Sequence, residues 1–184
     1  MNAQGLWQGQ ADPGLSETGR SQAEALGQAL ASDPAAGDIG TLLTSDLCRA
    51  AETAQVVGRA LGLDPEPVPG LREMDVGAWS GRPHAEIETL WPEDYARFRA
   101  GDDTVAPGGG ESRQRLRGRV LAALGAAVGH AARPDRPSIA IVTHLGVLRS
   151  LRPGTVLGTA EYAWWAQPRD GDASAAAPSD RGVL

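Results

Sequence analysis

The sequence predicts an α/β fold, with helices on both faces of a mainly parallel sheet, and two observations support this. Short apolar runs alternate with longer segments of helical periodicity, which is typical of strand–helix–strand units. The segment Ser138–Thr143 has a continuous apolar centre, which is typical of a strand buried on both faces of a parallel sheet. We therefore expect a three-layer α/β/α sandwich whose ligand site lies at the carboxyl ends of its strands.

The first part of the chain predicts a helix followed by a strand. Apolar residues recur at helical spacing from Ser16 to Ala31, and Ser16 is the expected N-cap. Asp33-Pro34 should end this helix, because a residue before proline is displaced from the helical region. The run Ile39–Leu43 then predicts a short buried strand.

A second strand–helix step follows. Ser45 or Asp46 is expected to cap a helix that runs to about Leu61 and closes at Gly62. The proline-punctuated segment Pro65–Glu73 is predicted to be extended.

The remaining elements are predicted from the same signals. Two short helices are expected near residues 84–90 and 93–100, and a long amphipathic helix over about residues 111–132. The glycines of Pro107–Gly110 either allow a close backbone approach to the site or form a flexible helix entry. After the strand at 138–143 we expect a helix from Gly146 and a last strand at Tyr162–Gln167. One domain is thus expected over residues 1–167, with a lid at 80–110 and a disordered tail at 168–184.

Composition limits the classes of function. The 184 residues carry a formal net charge of −6, and this acidic balance argues against a nucleic-acid partner. Every basic residue is arginine. The single cysteine excludes an internal disulfide and a cysteine-built zinc site. No apolar run approaches the roughly 18 residues of a membrane span, and no signal-peptide pattern is present, so we expect a cytoplasmic protein without membrane contact.

Three residues near predicted strand ends suggest phosphate chemistry. Arg49 follows a strand in the first turn of a helix, where amides and a guanidinium together bind oxyanions; alone, it is better explained as a solvated side chain. His144 ends a buried strand and is followed two residues later by glycine; alone, it could be a structural histidine. Glu73 ends an extended segment and could be a general acid; alone, it resembles a surface carboxylate.

Taken together, the motifs over about residues 1–150 resemble the histidine phosphatase superfamily, the phosphoglycerate mutase-like enzymes. The matching segments, in order, are Asn2–Gly9, Asp12–Arg20, Thr44–Ala54, Leu71–Glu73, Gly77–Gly81, Pro107–Ser112 and Val142–Arg149.

The resemblance implies a mechanism in which a histidine attacks a phosphoryl group and the resulting phosphohistidine is resolved by water or a second acceptor. It implies a small phosphorylated substrate, no cofactor and no metal. Arg49 matches a phosphate-binding arginine, His144 matches the second histidine, which stabilises the phosphoryl oxygens, and Glu73 matches the proton donor to the leaving alcohol. The remaining matches are at substrate-bordering positions: Asn2, Gln8 and Gly9.

The sequence departs from the family at its signature. The resemblance places Arg-His-Gly, which supplies the nucleophile, just before Asn2, but none of the three histidines stands in such a triplet. His84 and His130 are expected to be non-catalytic. We expect a misplaced or truncated start, with Met1 an internal methionine, and a sheet that lacks the family's first strand and leaves unpaired edges on that strand's neighbours.

Several functions remain open at this point. A phosphomonoester hydrolase fits best, and a phosphoglycerate mutase-type phosphotransferase fits less well. A non-catalytic phosphate-binding protein is the main rival. A third possibility is an interaction protein that uses the arginine-rich helix at residues 113–119, although a solvated face explains those arginines more simply. A homodimer is left open.

Overall fold

The computed structural model describes residues 5–131 and 133–164. Three parallel strands form the sheet in the order β2–β1–β3. They are β1 (Ile39–Thr44), β2 (Pro65–Pro67) and β3 (Ser138–Val142).

Helices cover both faces of this sheet, as expected for the three-layer sandwich. Leu42 packs in one core cluster with residues of the first two helices, and its neighbour Leu43 packs in a second cluster with residues of the last two. Successive residues of a strand point to opposite faces, so these two leucines mark the two helical layers. The helices are α1 (Glu17–Ser32), α2 (Cys48–Leu61), α3 (His84–Leu90), α4 (Pro92–Arg99), α5 (Arg113–Ala131) and α6 (Leu145–Leu151).

The ends of α1 confirm the prediction, whereas the start of α2 does not. Ser16 accepts a hydrogen bond from the Gly19 amide at 3.1 Å, and α1 ends at Asp33. The expectation that Ser45 or Asp46 caps α2 is wrong, because the N-cap is Leu47, which has no capping side chain. The amide of the first α2 residue instead finds its acceptor on a distant loop, as described below.

Strand β1 is the centre of the described sheet and is buried on both faces. It pairs with β2 on one side and β3 on the other, so the expected unpaired edges are not found at β1. The direct pairing with β3 gives hydrogen-bond partners to the backbone N–H and C=O groups along that side of the buried strand β1. No strand precedes α1 from residue 5 onward.

The predicted full burial of Ser138–Thr143 is wrong. In β3 the Ile141 residue is 39% exposed, because β3 lies at one edge of the described sheet.

The chain beyond α6 packs against the α1 layer. Tyr162 Oη and Trp164 Nε1 both donate to Asp33 Oδ2, at 3.1 and 2.9 Å. Tyr162–Trp164 form no strand, contrary to the prediction, and residues 165–167 of that prediction and the 168–184 tail lie outside the described residues. Across the residues that are described, no helix is both long and apolar enough to cross a bilayer.

Candidate active site

The segments that follow β1 and β3 meet at the carboxyl edge of the sheet. The Ser45 amide donates to the Val142 carbonyl at 3.0 Å, and the Ser45 hydroxyl lies 2.9 Å from His144 Nε2. Ser45 and His144 are both buried. The sequence therefore predicted correctly that these two strand ends come together.

His144 is held in its neutral form by its surroundings. Burial lowers the pKa of His144 to about 3, and the positive charges of Arg49 and Arg119 act in the same direction. A neutral imidazole carries one donor and one acceptor nitrogen, so His144 can offer a single N–H to a ligand at neutral pH.

Arg49 is the second residue of α2 and is partly buried. Its Nη1 donates to the Ala11 carbonyl at 2.7 Å and its Nη2 to the Gly9 carbonyl at 2.9 Å. Burial lowers the pKa of the Arg49 guanidinium, and the carboxylates of Glu73 and Asp12 oppose that effect. Arg49 thus fastens the 9–11 loop to α2 and remains a cation.

Asp12 is a residue at this edge that sequence reasoning missed. Its Oδ1 accepts a hydrogen bond of 2.6 Å from the Cys48 amide and so caps α2. A carboxylate at this position also complements the positive end of the helix dipole. The loop contains no local capping pattern, so nothing near Asp12 in the sequence signals this contact.

The two residues expected to cap α2 have other partners. Ser45 Oγ contacts His144 and accepts a hydrogen bond from the Leu47 amide at 3.3 Å. Asp46 receives two hydrogen bonds from Arg72, at 2.7 and 2.5 Å. The hydrogen bond from Arg72 holds the pKa of the Asp46 carboxyl below its ordinary value.

Glu73 presents a buried carboxyl group at the same edge. Its Oε1 accepts from the Met74 amide at 2.7 Å and its Oε2 from the Gly146 amide at 3.2 Å. Burial raises the pKa of Glu73, although these two hydrogen bonds favour the charged form. A Cβ at Gly146 would overlap the Glu73 carboxyl, so the carboxyl can keep this position only beside a glycine.

The positions expected to border the substrate are only partly described. Asn2 lies outside the described residues. The Gln8 carbonyl accepts a hydrogen bond from Ser80 Oγ at 3.0 Å. Gly9 has a φ of +50°, and a Cβ there would lie 2.5 Å from Val76 Cγ2, so the turn favours glycine for two reasons.

The glycines of Pro107–Gly110 make a close backbone approach rather than a flexible entry. A Cβ at Gly108 or Gly110 would overlap backbone atoms of the 75–79 segment. The Glu111 amide also donates to the Asp75 carbonyl at 2.8 Å. This packing fixes the loop that follows Glu73.

Aromatic residues before and within the 80–110 segment pack in the core cluster or against it. Trp79 is completely buried and makes an edge contact with Trp7 at a centroid distance of 5.3 Å. Trp7 Nε1 donates to His84 Nδ1 at 3.1 Å, which gives His84 a non-catalytic partner. The remaining members of this aromatic cluster are Trp91, Tyr95 and Phe98. The His130 side chain lies outside the described part of the structure.

Comparison with known proteins decides the family. The sequence matches the histidine phosphatase superfamily (branch 1) over residues 1–174. The chain belongs to this superfamily. It is 36% identical to phosphoglycerate mutase-like protein 4 of Arabidopsis thaliana over 152 residues, covering 82% of this chain and 64% of that protein.

Relatives with phosphatase names are equally similar. Glucosyl-3-phosphoglycerate phosphatase of Mycobacterium tuberculosis is 38% identical over 150 residues, covering 78% of this chain and 65% of that protein. The native structure of a mycobacterial enzyme of that name superposes with a TM-score of 0.71 at 35% identity, covering 82% of this chain and 71% of the other. The chain spans just under two thirds of the length of these two curated relatives.

Metal ligands are not clustered in the described part of the chain. Residues 5–131 and 133–164 contain no group of three or more His, Cys, Asp or Glu side chains arranged to hold a metal ion.

Proposed function

We propose that this superfamily member is a cytoplasmic hydrolase of small phosphomonoesters, acting through a phosphohistidine. The observation that supports the proposal best is that the Arg49 guanidinium is partly buried and forms no ion pair with a described residue. A partly desolvated cation that forms no ion pair with a described residue, close to a buried neutral histidine, favours an anionic ligand such as a phosphoryl group.

The roles of the side chains follow from their chemistry. Arg49 and His144 donate hydrogen bonds to the phosphoryl oxygens, where negative charge must be held during transfer. Burial raises the pKa of Glu73, which favours its role as the acid that gives a proton to the leaving alcohol oxygen as the ester P–O bond breaks. In the second step a water molecule attacks phosphorus, Glu73 takes one proton from it, and phosphate leaves the histidine.

The nucleophile is the group that the 184 residues do not contain, since none of the three histidines stands in Arg-His-Gly. The proposal therefore places this triplet upstream of Met1 in the active protein, with Met1 as an internal residue. Asn2, Gln8 and Gly9 would then border the substrate. The phosphatase names of the mycobacterial relatives support a small phosphorylated substrate, and a structure of the mycobacterial enzyme contains inorganic phosphate.

The test is the intact mass and N-terminal sequence of the protein purified from its native host, together with its hydrolysis of p-nitrophenyl phosphate. We expect a mass above 19.1 kDa, Arg-His-Gly upstream of Met1, and turnover that is lost in the His144→Ala variant. A species of 19.1 kDa that begins at Met1 and hydrolyses nothing would contradict the proposal.

A non-catalytic phosphate-binding role is the second candidate, because Arg49 and His144 are present without Arg-His-Gly. It predicts that inorganic phosphate raises the melting temperature of the 184-residue chain while phosphoesters remain intact, since a ligand that binds only the folded state stabilises it. A mutase would differ from both, because it would return an isomeric ester instead of free phosphate.

A further inference from the structure

Arg119 on α5 contacts the segment that leads into Glu73. Its guanidinium donates to the carbonyls of Gly70, Arg72 and Glu73, at 2.9, 3.0 and 3.3 Å. Its other two N–H groups donate to the Glu111 carboxylate, at 2.9 and 2.7 Å. An arginine has five N–H donors, so Arg119 has an acceptor for each of them.

Packing holds the same segment against α5. A Cβ at Gly70 would overlap the Ala123 side chain of α5, and the next residue, Leu71, is completely buried. The Glu73 carbonyl also accepts a hydrogen bond from Gln10 Nε2 at 3.1 Å. The backbone on the amino side of the Glu73 carboxyl therefore has little freedom.

Arg119 resembles its neighbours in the sequence but not in its environment. The expectation of a solvated arginine-rich face over residues 113–119 is wrong for Arg119, whose side chain is 26% exposed and paired with a Glu111 side chain that is 15% exposed. By contrast, Arg115 is exposed. A partly buried pair of this kind stabilises a fold best when its donors are all used, and Arg119 uses all five.

We propose that Arg119 is a positioning residue for Glu73: with Glu111 as its counter-ion, it fixes the 70–73 backbone and supplies part of the positive charge around the carboxyl group. This inference rests on the proposed function, in which Glu73 exchanges a proton with the leaving oxygen.

The charges around Glu73 predict that its pKa shifts in opposite directions when Arg119 or Glu111 is replaced. Arg49 on α2 and Arg119 on α5 both lower the pKa of Glu73, against the raising effect of burial, and Glu111 lies behind Arg119. Removing the Arg119 charge should raise the pKa of Glu73, whereas removing the Glu111 charge should lower it. If the two residues acted only by packing, both variants would let water reach the carboxyl and would move its pKa in the same direction.

The experiment is an NMR pH titration of the 184-residue chain, which follows the Met74 and Gly146 amides that donate to the Glu73 carboxyl. We expect the titration midpoint to rise in Arg119→Met, to fall in Glu111→Gln, and to stay at the wild-type value in the matched control Arg115→Met. Midpoints that shift in the same direction, or that do not shift, would overturn the proposal.

A second variant covers the case in which Arg119→Met does not fold. Arg119→Lys keeps the charge but cannot reproduce all five contacts, so its midpoint should stay near the wild-type value. Hydrogen exchange at the Leu71 and Arg72 amides should become faster in this variant. A midpoint in Arg119→Lys that rises, with unchanged exchange at these amides, would contradict the positioning role.

Turnover separates this inference from the proposed function. An alkyl ester such as glycerol phosphate needs a proton on its leaving oxygen, whereas p-nitrophenyl phosphate does not. In the active protein that carries Arg-His-Gly, Arg119→Met should lower kcat/KM for glycerol phosphate at least about tenfold more than for p-nitrophenyl phosphate. An equal loss on both esters would contradict the positioning role. Failure of the wild type on both esters would count against the proposed function alone, and the titration would still decide the role of Arg119.

Discussion

Two partly buried arginines flank the candidate site, and they differ in their counter-ions. Arg119 pairs with Glu111 and uses all five N–H donors within the fold. Arg49 donates to the carbonyls of Gly9 and Ala11, and no described carboxylate forms an ion pair with it. Both arginines hold backbone carbonyls, but only Arg119 has an ion-pair partner among the described residues, so the charge of Arg49 is the one available to an anionic ligand.

The two arginines should differ most in how much each contributes to the binding of inorganic phosphate. Arg49→Met should weaken the binding of inorganic phosphate about 100-fold, since a hydrogen bond to a charged group contributes about 1.5–3 kcal/mol. Arg119→Met should weaken it less than about threefold, because that charge already has a partner. Isothermal titration calorimetry measures both values, and equal losses would show that the two arginines do not differ in this way.

Glu73 lies within the influence of both arginines, and Gly146 makes room for it. In Gly146→Ala the added methyl group would displace the carboxyl from its two amide donors, so we expect a loss of about 1–3 kcal/mol in the free energy of unfolding, the usual cost of an unsatisfied buried polar group. Gly118→Ala on α5 is the matched control, because nothing lies within 4 Å of its added Cβ. That variant should gain about 0.5–1 kcal/mol. Urea unfolding of the two variants checks the difference, and a stable Gly146→Ala would refute the packing argument.

His144 makes stability depend on pH in a direction that can be worked out. The unfolded state takes up a proton near the ordinary pKa of 6.5, whereas the folded state does so only near 3. Stability should therefore fall as the pH falls from 6.5 towards 3, by about 1 kcal/mol per pH unit. Unfolding curves at several pH values in this range should show a smaller fall for His144→Asn than for the wild type. Identical losses would mean that other groups cause the acid sensitivity.

The smallest change is expected in the pKa of His144, which both arginines lower. The effect of Arg49 is the stronger of the two. An NMR titration of the imidazole should therefore show a higher pKa in both Met variants, with the larger rise in Arg49→Met. A larger rise in Arg119→Met would reverse the comparison.

Local patterns predict the elements of this fold well, because capping, periodicity and apolar runs depend on neighbouring residues. The Ser16 cap, the buried strand at 39–44 and the closure of α2 at Gly62 are all found as expected. The same patterns predict which segments end at the carboxyl edge of the sheet, and so bring Ser45 and His144 together.

Contacts between distant segments could not be predicted in this way. Asp12 caps α2 from 36 residues away, and no local motif marks it. Arg119 has the same sequence surroundings as the exposed Arg115, and only the packing of α5 on the 70–73 segment distinguishes them. The direct pairing of β1 with β3 is likewise a property of the assembled sheet.

Chemical-shift mapping of the 184-residue chain with inorganic phosphate locates the anion site residue by residue. Phosphate bound at Arg49 should give saturable shifts at Ser45, Arg49 and His144, and these shifts should be lost in Arg49→Met. Shifts confined to the other end of α2, in the cleft lined by Gln55 and Arg59, would contradict binding at Arg49, as would the absence of any saturable shift.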